Sequence, residues 1–396
     1  MEEWKTYRIK DICLVNTNQY SAKDGWQNVL YLDTGNITEN HIGDIQFFSL
    51  PSDELPSRAR RKVKHNDIIF STVRPNQRHY GILNHPANNL LVSTGFTVLT
   101  AKPEIADPYF VYYYLTQSEL IDYLQGVAEQ SVSAYPSLKS SDIEEIEIAL
   151  PPIAEQKRLS SVLRSLDSKI ELNNRINHNL EEQSQALYKS WFVDFEPFKD
   201  DKFVDSELGM IPEGWKVLPF SAFVQISNEK VDSKHIPEFS VTNTGIFPRD
   251  AKFNKRLSSS SLTNKVIRKG DLVFGMSREI LNWGIMDEVI GGVSSAYTVY
   301  KIEKHIIDEN YLRSYIQHHI GYFKDLIKPA AREGQGIDKK VLASKMAIIP
   351  EESIWNGFQK KVNSIIAAKR QLMNQTEQLA KLRDEMLPIL MGRKAV

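Results

Sequence analysis

Five basic side chains, Arg58, Arg60, Arg61, Lys62 and Lys64, stand within seven positions with no acid among them. A second group follows in Arg74-Pro75-Asn76-Gln77-Arg78-His79. Lysine and arginine neutralise phosphates and release counterions, while arginine, asparagine and glutamine read base edges through paired hydrogen bonds. Arg74, Asn76, Gln77 and Arg78 therefore join the first five as candidate DNA contacts. Further on, Lys252, Lys255, Arg256 and Lys265 form another basic stretch, followed by Arg278 and Asn282 and later by Arg332 and Gln335. One basic cluster alone is ordinarily a solvated face. Basic and amide-bearing segments at corresponding places in two parts of one chain favour nucleic acid instead.

The chemistry of catalysis is missing from the sequence. There is no G-x-x-x-x-G-K-[ST], no G-x-G-x-x-G after a strand and no H-E-x-x-H. The nine histidines show no zinc-ligand spacing beyond the adjacent His318-His319, which one helix cannot easily aim at one ion. Asp107-Pro108-Tyr109-Phe110 resembles a D-P-P-Y methyltransferase motif but lacks its second proline and any upstream glycine-rich loop. It suits a helix N-cap with proline at the first helical position. No catalytic or metal-binding residue is assigned, and the chain is expected not to be an enzyme. Cys13, the one cysteine, excludes an internal disulfide and a four-cysteine zinc site. No apolar run has the length of a membrane span, and the first residues lack the pattern of a signal peptide, so the cytoplasm is expected. The net charge of −1 conceals segregation: seven acids lie between Asp194 and Glu213, against Lys199 and Lys202.

These residues must be positioned by a fold that the sequence writes twice. With 396 residues, two or more domains are expected. Trp4-Lys5 is echoed by Trp215-Lys216, and His65-Asn66-Asp67-Ile68-Ile69-Phe70 by Lys269-Gly270-Asp271-Leu272-Val273-Phe274. Val92-Ser93-Thr94-Gly95-Phe96-Thr97-Val98 is echoed by Val293-Ser294-Ser295-Ala296-Tyr297-Thr298-Val299, and Ile148-Ala149-Leu150-Pro151 by Ala347-Ile348-Ile349-Pro350. Four matches in the same order indicate a duplication. Within each copy, Asp67 to Phe70, Phe96 to Thr100 and Tyr297 to Ile302 read as strands. Asn66 and Gly270 suit a turn of positive φ, and Tyr109 to Leu124 reads as one helix. Each copy is expected to be an α+β globule.

Each globule runs into a long amphipathic stretch. From Leu159, alternating steps of four and three give Leu163, Leu166, Ile170, Asn173, Asn177, Leu180, Ser184, Leu187 and Trp191. The second gives Val362, Ile365, Lys369, Leu372, Thr376, Leu379, Arg383, Met386 and Leu390. Narrow seams sustained for several heptads favour two helices pairing with each other, antiparallel, over packing on their own globules. About 38 residues of helix make a rod of roughly 57 Å. Pro388 is expected to kink or end the second one turn before Gly392.

Several segments resemble the specificity subunits of type I restriction–modification systems. Ala186-Leu187-Tyr188-Lys189-Ser190-Trp191-Phe192-Val193-Asp194-Phe195-Glu196-Pro197 is similar to the junction after that family's first conserved helix, and Gly209-Met210-Ile211-Pro212-Glu213-Gly214-Trp215 to the start of its second target-recognition domain. Leu150-Pro151-Pro152 with Glu155-Gln156 resembles the start of the helix, and Gly334-Gln335-Gly336-Ile337 the loop before a domain's last strand. In the second helix Phe358-Gln359-Lys360 replaces the Glu-Gln pair. The resemblance implies an α+β protein with two similar target-recognition domains separated by an antiparallel coiled coil. The expected divisions are 1–150, first target-recognition domain; 151–193, first conserved helix; 194–213, acidic linker; 214–349, second domain; and 350–396, second helix. It further implies a non-catalytic chain that reads a bipartite target in double-stranded DNA and joins methyltransferase (modification) subunits and endonuclease/translocase subunits. S-adenosylmethionine, ATP and Mg are then expected in those partner subunits, with none in this chain. The alternatives are a recognition module of another methylation-dependent defence system or a protein-interaction scaffold that does not use DNA.

Overall fold

A computed structural model describes residues 4–130, 136–232, 236–249, 263–275, 280–327 and 336–392. The chain divides into two compact units, one formed by residues 1–174 with 374–396, the other by residues 175–373. Both are α+β.

In the first unit, β1 (Lys5–Arg8), β2 (Cys13–Val15) and β3 (Asn28–Leu32) are followed by a short hairpin of β4 (Ile37–Thr38) and β5 (His41–Ile42). Then come β6 (Gln46–Ser49), β7 (Ala59–Lys62), β8 (Ile68–Ser71), β9 (Tyr80–Ile82), β10 (Leu90–Ser93), β11 (Phe96–Ala101) and β12 (Glu147–Leu150). One sheet has the order β6-β3-β10-β7 and another β2-β11-β8-β9. Strands β8 and β11 are the two apolar runs legible in the sequence. Asn66, before Asp67, has φ +66°, as the turn requires.

The second unit repeats the plan. Its strands are β13 (Phe203–Val204), β14 (Ile211–Pro212), β15 (Lys216–Pro219), β16 (Val224–Ser227), β17 (Phe239–Thr242), β18 (Gly245–Pro248) and β19 (Lys265–Arg268), then β20 (Leu272–Phe274), β21 (Trp283–Ile285), β22 (Ile290–Val293), β23 (Thr298–Ile302) and β24 (Met346–Ile349). The order β16-β23-β20-β21 matches that of β2-β11-β8-β9. Gly270 has φ +89°, standing where Asn66 stands. In the first unit β1 pairs antiparallel with β12, Lys5 lying opposite Leu150, and in the second β15 pairs antiparallel with β24, Lys216 lying opposite Ile349. Each globule thereby closes on itself just before its long helix starts.

The helix beginning at Pro108 is capped by Asp107, whose carboxylate accepts from the Phe110 N–H at 3.0 Å. The single helix expected over 109–124 is in fact two, Pro108–Leu115 and Ser118–Glu129. The break lies at Thr116-Gln117, where Thr116 Oγ1 donates to the Tyr113 carbonyl and Gln117 Nε2 to the Tyr114 carbonyl, so side chains take up the carbonyls that end the first helix. In the second unit Asp308 caps Glu309–His318 in the same way, accepting from the N–H groups of Asn310 and Tyr311.

The long helices span Ile153–Phe192 and Glu352–Met391. Every predicted seam position on both is buried or half-buried. In the first unit Asp167 meets Arg383 and Asn173 meets Gln375, so one chain direction rises as the other falls. In the second unit Glu181 pairs with Lys369, and Trp191 lies against Phe358 with ring centroids 6.0 Å apart, again antiparallel. Pro388 does not end its helix, which continues one turn to Met391. A proline forgoes a single backbone bond, and Met391, 2% exposed, is anchored in the core containing Leu159 and Leu163. Residues 194–213 pack too: Phe198, Ile211 and the following Trp215 are buried with Tyr188 and Phe192.

Candidate nucleic-acid interface

Strand β7 carries most of the first basic cluster and stands last in its sheet, with its outer side bridged by the segment 18–20, where the Tyr20 N–H donates to the Arg60 carbonyl at 2.7 Å and the Lys62 N–H to the Asn18 carbonyl at 3.1 Å. Arg58, Arg60 and Lys64 are exposed. Lys62 is held by Asp24 at 2.5 Å and lies 5.3 Å above the Trp26 ring. Arg61, opposite Val92, is half-buried, and its Nη2 donates to the Thr94 carbonyl at 3.3 Å. Burial lowers the pKa of its guanidinium.

The turn Thr94-Gly95 joins this strand to the second basic segment. The Thr94 N–H donates to the Arg58 carbonyl at 2.9 Å. The Gly95 carbonyl accepts from the Thr72 N–H at 2.9 Å and from Thr72 Oγ1 at 3.0 Å. From Thr72 the chain enters a loop whose ends both lie in the left-handed region, Arg74 at φ +47° and Arg78 at φ +56°, around the one-turn helix Pro75–Gln77. A side chain other than glycine in that region costs about 1–3 kcal/mol, so the surroundings must hold the loop. The Arg74 N–H donates to the Pro136 carbonyl at 3.1 Å, and Arg78 pairs with Glu39 at 3.0 Å. Asn76 and Gln77 stand exposed at the tip. Candidates separated in sequence by ten or more positions are thus gathered around one turn.

The second unit places a cation at the same register position. Lys265 lies opposite Val293, as Arg61 lies opposite Val92, and its Nζ donates to the Tyr297 carbonyl at 2.6 Å. Burial, reinforced by Lys339, lowers the Lys265 pKa. Asn282 is half-buried, and its carbonyl accepts from the Gly275 N–H. Lys252, Lys255, Arg256, Arg278, Arg332 and Gln335 lie outside the described residues.

The sequence reading missed the partners that fix these side chains: Glu39, Gln125, the Thr94-Gly95 turn, and the bond from the Arg61 side chain to that turn. The one available signal was the repeat itself, which places Thr94 and Ser295 at matching positions. It also missed a joint between globule and helix. Gln156, 1% exposed, accepts from the Asp107 N–H and donates to the carbonyls of Ile105 and Pro151. Gln359 donates to Asp308 at 2.7 Å in the second unit.

Nothing described resembles a reaction centre. Among the described residues no three His, Cys, Asp or Glu side chains could hold a metal ion. Burial, with Lys102 opposing it, pushes the Cys13 thiol up to about 12, which keeps it protonated and unreactive. No described helix is long and apolar enough to cross a membrane.

The chain thus consists of two α+β units, each coupling a strand that bears basic side chains to half of an antiparallel helix pair. Residues 1–182 match the family described as the type I restriction modification DNA specificity domain. It is 31% identical over 199 residues to the HindI specificity subunit of Haemophilus influenzae, covering 50% of this chain and 43% of that one. It is 24% identical to the MjaIX specificity subunit of Methanocaldococcus jannaschii, covering 98% of this chain and 93% of the relative. The crystal structure of the type I restriction–modification S subunit from M. genitalium shares the fold, with a TM-score of 0.52 at 13% identity over 99% of this chain and 97% of that one.

Proposed function

We propose that each unit reads one half of a bipartite sequence in double-stranded DNA, and that the chain directs modification and endonuclease subunits to that target. The observation that carries this reading is the duplicated register, with Arg61 and Lys265 at equivalent positions beside exposed basic residues. Two like basic strands in one chain suit two half-sites better than one continuous contact. The chain itself is non-catalytic in this reading. S-adenosylmethionine, ATP and Mg belong to the partner subunits, and the paired helices are where those subunits dock.

Genome-wide mapping of methylated bases in the host, with and without this chain, tests the proposal directly. The expected result is loss of one bipartite motif. The purified chain should bind a duplex carrying that motif with steep salt dependence and should neither methylate nor cleave it. Weak, salt-insensitive binding would favour a protein-interaction scaffold, and turnover by the isolated chain would remove the non-catalytic assignment.

A further inference from the structure

The loop 74–78 is strained at both ends and is held from outside by three side chains. The Gln125 carboxamide oxygen accepts from the Asn76 N–H at 3.2 Å. Its Nε2 donates to Glu129 at 2.7 Å. A carboxylate only accepts, so that bond fixes the amide with its oxygen toward Asn76. At the far end Arg78 gives one guanidinium nitrogen to Glu39 at 3.0 Å and another to Ser118 Oγ at 3.1 Å, while the Glu39 N–H donates to the Arg78 carbonyl at 2.9 Å. Arg78 is thus engaged with the protein, and the exposed groups at the tip are Asn76 and Gln77. Their carboxamides are the side chains that pair bidentately with adenine in the major groove.

Resting on the reading of the chain as a DNA-sequence reader, we propose that Gln125 and the Glu39–Arg78 pair are positioning residues. They set the tip of the loop so that Asn76 and Gln77 read an adenine-containing step of one half-site. Arg78 acts through the loop and is not a phosphate contact. The loop is then a specificity element, and the exposed Arg58 and Arg60 supply the sequence-independent part of binding.

The test uses the full chain, a duplex carrying the target found by methylation mapping, and a duplex with that half-site scrambled. Gln125→Ala and Glu39→Gln should each weaken cognate binding about tenfold and leave scrambled-duplex affinity and its salt slope unchanged, which also shows that the fold is intact. Arg78→Ala should behave in the same way. Adding Gln125→Ala to Asn76→Ala plus Gln77→Ala should cost nothing further, because nothing remains to be positioned. An unchanged cognate-to-scrambled ratio in Gln125→Ala would overturn the proposal. So would multiplicative losses in the triple variant, or a salt slope lowered by about 0.9 in Arg78→Ala, the mark of a lost phosphate contact. A wild-type chain that binds both duplexes equally would overturn the sequence-reading function, and this inference with it.

Discussion

Asp167 and Arg383, 216 residues apart in sequence and on different long helices, meet in the first unit with 3.1 Å between Oδ1 and Nη1. Tyr113 donates its hydroxyl to the other carboxylate oxygen at 2.7 Å, so the pair ties both helices to the globule. Burial lowers the Arg383 pKa, but Asp167 and Asp384 more than reverse that and the net direction is upward. Asp167→Arg should place two cations together and cost about 1 kcal/mol at this partly exposed site. In a unit of this size that corresponds to a melting point lower by roughly 2–4 °C. The exchanged pair, Asp167→Arg with Arg383→Asp, should recover most of the loss in a thermal scan. No recovery would mean that the Tyr113 bond, and not the charge pair, carries the effect.

Gln156 sits where the first long helix leaves its globule, and its replacement tests that joint. Gln156→Ala leaves the Asp107 N–H and the carbonyls of Ile105 and Pro151 buried without this partner. The expected cost is about 2–3 kcal/mol, read as a lower urea midpoint at unchanged slope. Gln359→Ala, which breaks one recorded bond to Asp308, should cost less. Equal losses would show that the two joints are energetically alike despite their different bond counts.

Local rules made part of this legible. The seam from Leu159 to Trp191 shows in the steps of three and four because helical periodicity is a property of neighbours. Asp107 before Pro108 announces its cap, and Asn66 its left-handed turn, for the same reason. Pairing of β1 with β12 could not be read, since nothing near Lys5 specifies Leu150. The break at Thr116-Gln117 carries neither glycine nor proline and rests on side-chain bonds made back to the helix. Within the basic cluster the charges were plain, but not their partners. Only the fold turns Arg61 toward Thr94 and Lys62 toward Asp24, leaving Arg58 and Arg60 in solvent.

His319 gives the second unit a definite response to acid. Burial, aided by the neighbouring His318, lowers its pKa to about 4 in the folded chain, against about 6.5 in the unfolded one. Above pH 6.5 both states leave the ring neutral and its contribution is complete. Between about 6.5 and 4 only the unfolded state takes up the proton, so stability falls with pH. Discounting the ring's partial exposure, the loss is on the order of 2 kcal/mol. His319→Phe keeps an aromatic ring beside Tyr315, whose ring centroid lies 4.7 Å away. Urea titrations at pH 7 and pH 4.5 should give a smaller difference for this variant than for the wild type. An equal difference would assign the acid response to other groups.

The basic cluster of the first unit separates into two kinds of arginine, and DNA binding should tell them apart. Arg58 and Arg60 are exposed, so their cations are available to phosphates. Arg58→Ala and Arg60→Ala should each lower the salt slope by roughly 0.9 and weaken binding to every duplex by the same factor. Arg61 instead donates to the Thr94 carbonyl and holds the turn that also anchors Thr72. Arg61→Ala should leave the salt slope nearly unchanged, lower thermal stability, and reduce discrimination between cognate and scrambled half-sites because the loop beyond Thr72 loses its anchor. Lys265→Ala should do the same for the other half-site, since its ammonium holds the Tyr297 carbonyl, two residues beyond the position that matches Thr94. If Arg61→Ala lowers the slope as much as Arg58→Ala does, its guanidinium leaves Thr94 for a phosphate in the complex, and the turn is held by its backbone bonds alone.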